Sequence, residues 1–180
     1  MITLELLAAI SIYYVIMYAT PGPNNSILTA SGIKFGFTRT IPNIFGIPTG
    51  HGIQLTLVCF GLGTLFQKYP FIQFYLKWLC FFYLLYLGWK IFGSLSSNEK
   101  ETGRPLKFYE AALFQFINPK AWVVALTAAT AFFPTNENFI IATIFVAGTA
   151  PFVCFPSICI WALFGSSIKL IIKNTKVKKI

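Results

Sequence analysis

The chain is 180 residues long, 56% hydrophobic and 11% charged, with a net charge of +9 and a mean hydropathy of +0.70. A soluble domain carries about a quarter of its residues as charges, so a soluble fold is excluded. Continuous apolar runs also exclude a β-barrel, whose strands alternate polar and apolar residues. The positive surplus sits in short polar connections, which points to anionic lipid at a cytoplasmic face and not to nucleic acid.

Five apolar segments follow one another: Ile2–Ile33, interrupted at Pro21–Pro23, then Ile41–Phe66, Phe71–Phe92, Phe108–Phe133 and Phe139–Phe164. Each reaches the ~20 residues that a spanning helix needs. The first is not a signal peptide, because no Lys or Arg precedes it and Thr-Pro-Gly-Pro is a poor cleavage site. The expected fold is an all-α polytopic membrane protein with about five transmembrane helices. They form two pseudo-repeated halves, the first and fourth helices broken at proline. Residues 1–180 form one membrane domain: a first half 1–93, a cytoplasmic linker 94–107, a second half 108–163 and a basic tail 164–180.

Basic connections alternate with poor ones. Lys34 and Arg39 follow the first segment, Lys90, Lys100, Arg104 and Lys107 surround the third connection, and Lys169, Lys173, Lys176, Lys178 and Lys179 follow the fifth. The connection Pro134–Asn138 has no basic residue, and Gln67–Pro70 has only Lys68. This asymmetry predicts an outside N-terminus and a cytoplasmic C-terminus. Lys77, inside the third segment, is expected to snorkel. The tail is expected to be an interfacial amphipathic helix or simply a basic tail.

The break at Pro21–Pro23 removes two backbone donors, and Gly22 is expected to permit dihedrals that other residues avoid. In a bilayer such a break is tolerated only where protein or a wet cavity supplies partners. Thr20, Pro21, Gly22, Pro23 and Asn24 are therefore candidate substrate-binding residues. Free amides at one helix end suit a carboxylate, and free carbonyls at the other suit an ammonium. A structural kink is the plain alternative. Asn118, Pro119 and Lys120 form the matching break in the second half, and paired broken helices mark inverted repeats with a central site. Lys120 either meets a partner deep in the membrane or snorkels to an interface, and Asn118 is placed to cap the helix restarting at Pro119. His51 and Gln54 share a helix face, so His51 is a candidate proton relay or a histidine bonded within the bundle. Gly32/Gly36 and Gly46/Gly50 read as close helix contacts. The four cysteines lie in apolar runs without a CxxC motif, so no metal, cofactor or disulfide is expected. No enzyme constellation is visible.

Thr20-Pro21-Gly22-Pro23-Asn24, with Gly32, Gly36, Gly46, Gly50, Gly61 and Gly63, resembles the first half of the lysine exporter/homoserine–threonine resistance (LysE/RhtB) family. Tyr83 to Lys90 resembles that family's third-span ending, Phe108 to Lys120 its second-half motif, and Trp161 with Gly165 its fifth span. The resemblance implies export of amino acids or close derivatives across the bacterial inner membrane, driven by the proton gradient. Ala111 stands where the family often has glycine. Members usually continue into a sixth hydrophobic segment, which this sequence lacks. Either a partner chain such as a second copy completes the bundle as a homo-oligomer, or the fold tolerates the loss, or the chain is an inactive exporter remnant. The last case, or an assembly partner, is the non-transporting alternative.

Overall fold

A computed structural model describes residues 1–62 and 104–177 and scattered positions between 68 and 89. The expectations for Lys77, Lys90 and Ser94–Gly103 lie outside the described residues. The described elements are all helical: α1 (Leu4–Ala19), α2 (Pro23–Phe35), α3 (Phe37–Leu57) with a wide terminal turn Val58–Leu62, α4 (Phe108–Phe114), α5 (Pro119–Ala131) and α6 (Phe139–Val177). This is the helical membrane class that the apolar segments predict.

Of the five expected spans, α3 and α6 are long and apolar enough to cross a membrane, and α1 with α2 qualifies as a pair bent by 53°. The fourth segment is two short helices, α4 of 7 residues and α5 of 13. The last helix continues from the fifth apolar segment into the basic tail without interruption. Its 39 residues measure roughly 58 Å at 1.5 Å per residue, well beyond a ~30 Å hydrocarbon core. Gly165 does not end it, because that glycine is where the helix meets α2.

Backbone approaches backbone at several glycines. A Cβ at Gly165 would lie 2.1 Å from the Thr29 carbonyl oxygen, and one at Gly32 would lie 2.5 Å from that of Ala162. These two positions set α2 directly on α6. On α3, a Cβ at Gly46 would lie 2.2 Å from the Phe108 oxygen and one at Gly50 2.3 Å from the Ala112 oxygen, so α4 lies against α3. Small residues are the usual means of such approach in lipid, where no hydrophobic drive separates helix from solvent. Gly36 differs from Gly32: it has open space around it and φ 86°, so it ends α2 by its conformation.

Tyrosines on α1 complete the frame. The buried Tyr14 hydroxyl donates to the Val146 carbonyl of α6 at 2.8 Å, and Tyr13 reaches the Val124 carbonyl of α5 at 3.3 Å. One apolar cluster gathers Ile10, Tyr14, Leu55, Trp122, Ala125 and Val146. A second gathers Leu28, Ile44, Ile47, Cys154, Ile158 and Ala162. The breaks in α1–α2 and α4–α5 fall between them.

Gly50→Ala is expected to destabilise the fold by about 1–3 kcal/mol, because the new methyl meets backbone. Gly148→Ala, whose nearest neighbour is 3.9 Å away, is expected to be neutral. Thermal unfolding of the detergent-purified variants checks the contrast.

Candidate functional site

At both breaks the residue before proline takes the extended backbone that the proline ring favours there, whereas the residues before Pro42, Pro48, Pro151 and Pro156 stay helical. Thr20, before Pro21, has φ −71° and ψ 146°. Gly22, before Pro23, has φ −178° and ψ 179°. Asn118, before Pro119, has φ −79° and ψ 109°. The Gly22 conformation is extended and open to any residue, which corrects the expectation that its dihedrals require glycine. Glycine is needed there for space: a Cβ would lie 2.8 Å from the Lys120 Cδ.

A break leaves carbonyls at one helix end and amides at the next without helical partners. At the end of α1, side chains take over. The Thr20 hydroxyl donates to the Met17 carbonyl at 3.0 Å. The Asn25 amide donates to the Tyr18 and Thr20 carbonyls at 2.9 and 2.7 Å. The Lys120 ammonium donates to Thr20 O at 2.7 Å, Thr20 Oγ1 at 2.8 Å and Pro21 O at 3.2 Å. Lys120 thus has a partner: its charge rests on the negative end of the α1 dipole. The end of α4 is treated alike. Gln115 Nε2 donates to the Ala111 carbonyl, Gln54 Nε2 to that of Gln115, and Trp122 Nε1 to that of Phe116, at 2.9, 3.0 and 2.8 Å. Asn118 caps α5 by accepting from the Lys120 amide at 3.1 Å.

The two breaks also meet directly. Asn24 Nδ2 donates to Gln115 Oε1 at 2.9 Å, and Gln115 Nε2 to Asn24 Oδ1 at 3.1 Å. His51 joins through Gln54, since its Nδ1 lies 3.0 Å from Gln54 Oε1. Because Gln54 Nε2 is spent on the Gln115 carbonyl, its oxygen must accept, so His51 Nδ1 carries the hydrogen. A neutral ring then presents a bare Nε2 lone pair. Among the described residues that Nε2 and the Tyr18 hydroxyl are buried without partners, and the two rings meet edge-on at 5.6 Å.

These groups bound a cavity of about 30 Å³, with Tyr18, Gly22, Asn24, His51, Gln115 and Lys120 in its wall. That is room for a water or two, not for an amino acid, so the site is closed in this conformation. Met17, Ile47, Cys154 and Ile158 supply an apolar side. Among the described residues no carboxylate lines it.

Every residue expected at the site from Thr20 to Asn24 and from Asn118 to Lys120 lies at this junction. His51 does too, at one remove through Gln54. Tyr18 and Gln115 went unremarked in the sequence reading. The signal was present for Gln115: a buried amide side chain in an apolar segment requires a partner.

A broken-helix bundle with a polar junction between its halves is the architecture of a membrane transporter. The sequence matches the family of LysE type translocators over residues 15–180, and the chain belongs to that family. It is 32% identical over 167 residues to a cysteine/O-acetylserine efflux protein of Salmonella paratyphi A, covering 89% of this chain and 82% of that protein. The protein of the same description from Escherichia coli is 29% identical over 168 residues, covering 91% and 84%. No solved structure matches. The chain is a membrane efflux transporter.

Replacing Gln115 by Met is expected to cost about 1–3 kcal/mol, because the Asn24 amide loses its partner in a buried setting. A cycle with Asn24→Leu should show a coupling of roughly 0.5–3 kcal/mol in detergent unfolding. Strict additivity would contradict the paired reading.

Proposed function

We propose that this chain exports small, neutral amino acids or close derivatives from the bacterial cytoplasm, through the junction of the two helix breaks, in exchange for protons. The observation that carries the reading is that the ends of α1 and α4 and the starts of α2 and α5 converge on one small cavity. A zwitterion needs an anion partner and a cation partner at short range, and helix ends at a break supply both. Lys120 with no acidic neighbour at the cavity disfavours a substrate of net positive charge, since two cations would face each other in a weakly screening medium. The cysteine and O-acetylserine in the relatives' names are small, neutral amino acids. His51 is the proposed proton relay: its ring lines the cavity with Nε2 unpartnered, and its Nδ1 is tied through Gln54 to the α4 break.

The proposed orientation has the N-terminus outside and the C-terminus in the cytoplasm. It is supported by the segregation of charge. Lys169 donates to the Lys34 carbonyl at 2.8 Å, so the start of the basic tail and the α2–α3 connection share one end of the bundle. The N-terminus lies beside the Pro134–Asn138 connection, which has no basic residue, and there the Ile2 amide donates to Glu137 at 3.0 Å. Exposed Ile12, Ile16, Phe152 and Ile160 suit acyl chains between the two ends.

Cells expressing the chain are expected to tolerate inhibitory cysteine better than cells without it. The Pro21→Ala/Pro23→Ala double variant should insert normally and lose this protection; undiminished efflux from it would sink the site assignment. In liposomes, His51→Gln should retain substrate exchange and lose acceleration by an imposed pH gradient. Full gradient-driven transport by that variant would remove His51 from the coupling.

A further inference from the structure

We infer that the end of α1 is a subsite for a primary ammonium, occupied in this conformation by the chain's own Lys120. Three oxygens, Thr20 O, Thr20 Oγ1 and Pro21 O, receive the lysine at 2.7, 2.8 and 3.2 Å. Three acceptors match the three hydrogens of an alkylammonium. The Thr20 hydroxyl spends its own hydrogen on the Met17 carbonyl at 3.0 Å and so turns a lone pair to the cation. The carbonyls belong to a helix C-terminus, where positive charge is favoured. Nothing in this cradle recognises the rest of a lysine. The stem is merely given space by the missing side chain at Gly22.

The cradle lies at the edge of the cavity that carries the buried, unpartnered His51 Nε2 and Tyr18 hydroxyl. Across from it α2 begins at Pro23 with no side-chain cap on its first amides. A zwitterion can therefore enter by exchange: its ammonium takes the cradle, and its carboxylate receives the displaced Lys120 and the first amides of α2. This step rests on the proposed amino-acid reading only for the identity of the natural ligand. It explains why the site is closed in this conformation, because the lysine stands in for the substrate ammonium. It also makes the site demand both charges. An amine without a carboxylate would push Lys120 out with nothing to receive it, while a carboxylate without an amine would leave Lys120 where it is.

The test measures binding and does not depend on transport. Ethylamine is titrated into the purified wild type and the Lys120→Met variant by calorimetry. A tethered competitor acts at an effective concentration in the millimolar range, so its removal is expected to tighten ethylamine binding at least about tenfold, and Thr20→Val in the same background should reverse the gain. Should Lys120→Met fail to fold, Gly22→Ala retains the lysine and pushes its stem from the cradle, with the same expected gain. Equal ethylamine affinity in the wild type and the folded variants overturns the inference. So does an equal gain for sodium ion or tetramethylammonium, which would assign the oxygens to cations in general. Wild-type liposomes that move no amino acid, alongside a variant that gains ethylamine, would overturn the export reading and leave the cradle standing.

Discussion

The bond from Lys120 to the end of α1 is the constraint on which the rest of this structure turns. An uncompensated lysine deep in a bilayer costs ~3 kcal/mol or more, and each carbonyl left without a donor there costs several more. The sequence places a lysine and a broken helix end 100 residues apart, and the fold brings them together. The Pro21–Pro23 break is tolerable because an ammonium reaches it, and the ammonium is tolerable because the break offers three oxygens. That mutual need fixes α1 and α2 against the start of α5. Asn24 and Gln115 repeat the principle without charge, each amide serving as both donor and acceptor for the other.

Close backbone packing makes this polar junction reachable. Gly46 and Gly50 let α4 lie on α3, which carries Gln115 to Gln54 and Asn24. Gly32 and Gly165 do the same for α2 on α6, and there a second lysine, Lys169, binds the Lys34 carbonyl near the end of α2. Both helices of the broken first segment thus end on ammonium groups supplied by the second half. The cavity between the two apolar clusters is bounded by these contacts, and under the proposed mode of binding a substrate with the same chemistry replaces them.

The helix breaks were legible because they arise from local sterics. Thr20, Gly22 and Asn118 precede proline and favour extended backbone, with two prolines flanking one glycine at the first break, and the apolar lengths around them set the membrane class. The cap formed by Asn118 follows from the same short-range logic. The partner of Lys120 was not legible, since a lysine two residues past a break reads equally as buried and bonded or as snorkelling. Gly22 was misjudged for a related reason: its sequence context suggests a dihedral requirement, whereas its neighbour Lys120 comes from the other half of the chain. The small-residue pair Gly32/Gly36 divides in the same way, one position serving contact and the other conformation.

By itself, then, the sequence determined the helical membrane class, the two places where helices break and the family to which the chain belongs. Each of these depends on hydrophobicity summed over ~20 residues or on the sterics of a few neighbouring peptide units. Only the tertiary structure decided that the breaks meet, that Gln115 and Gln54 link them to His51, and that Lys120 fills the end of α1. Those contacts depend on side chains 61 to 100 residues apart. Their positions are set by how closely glycines allow whole helices to approach, and no local rule encodes that distance.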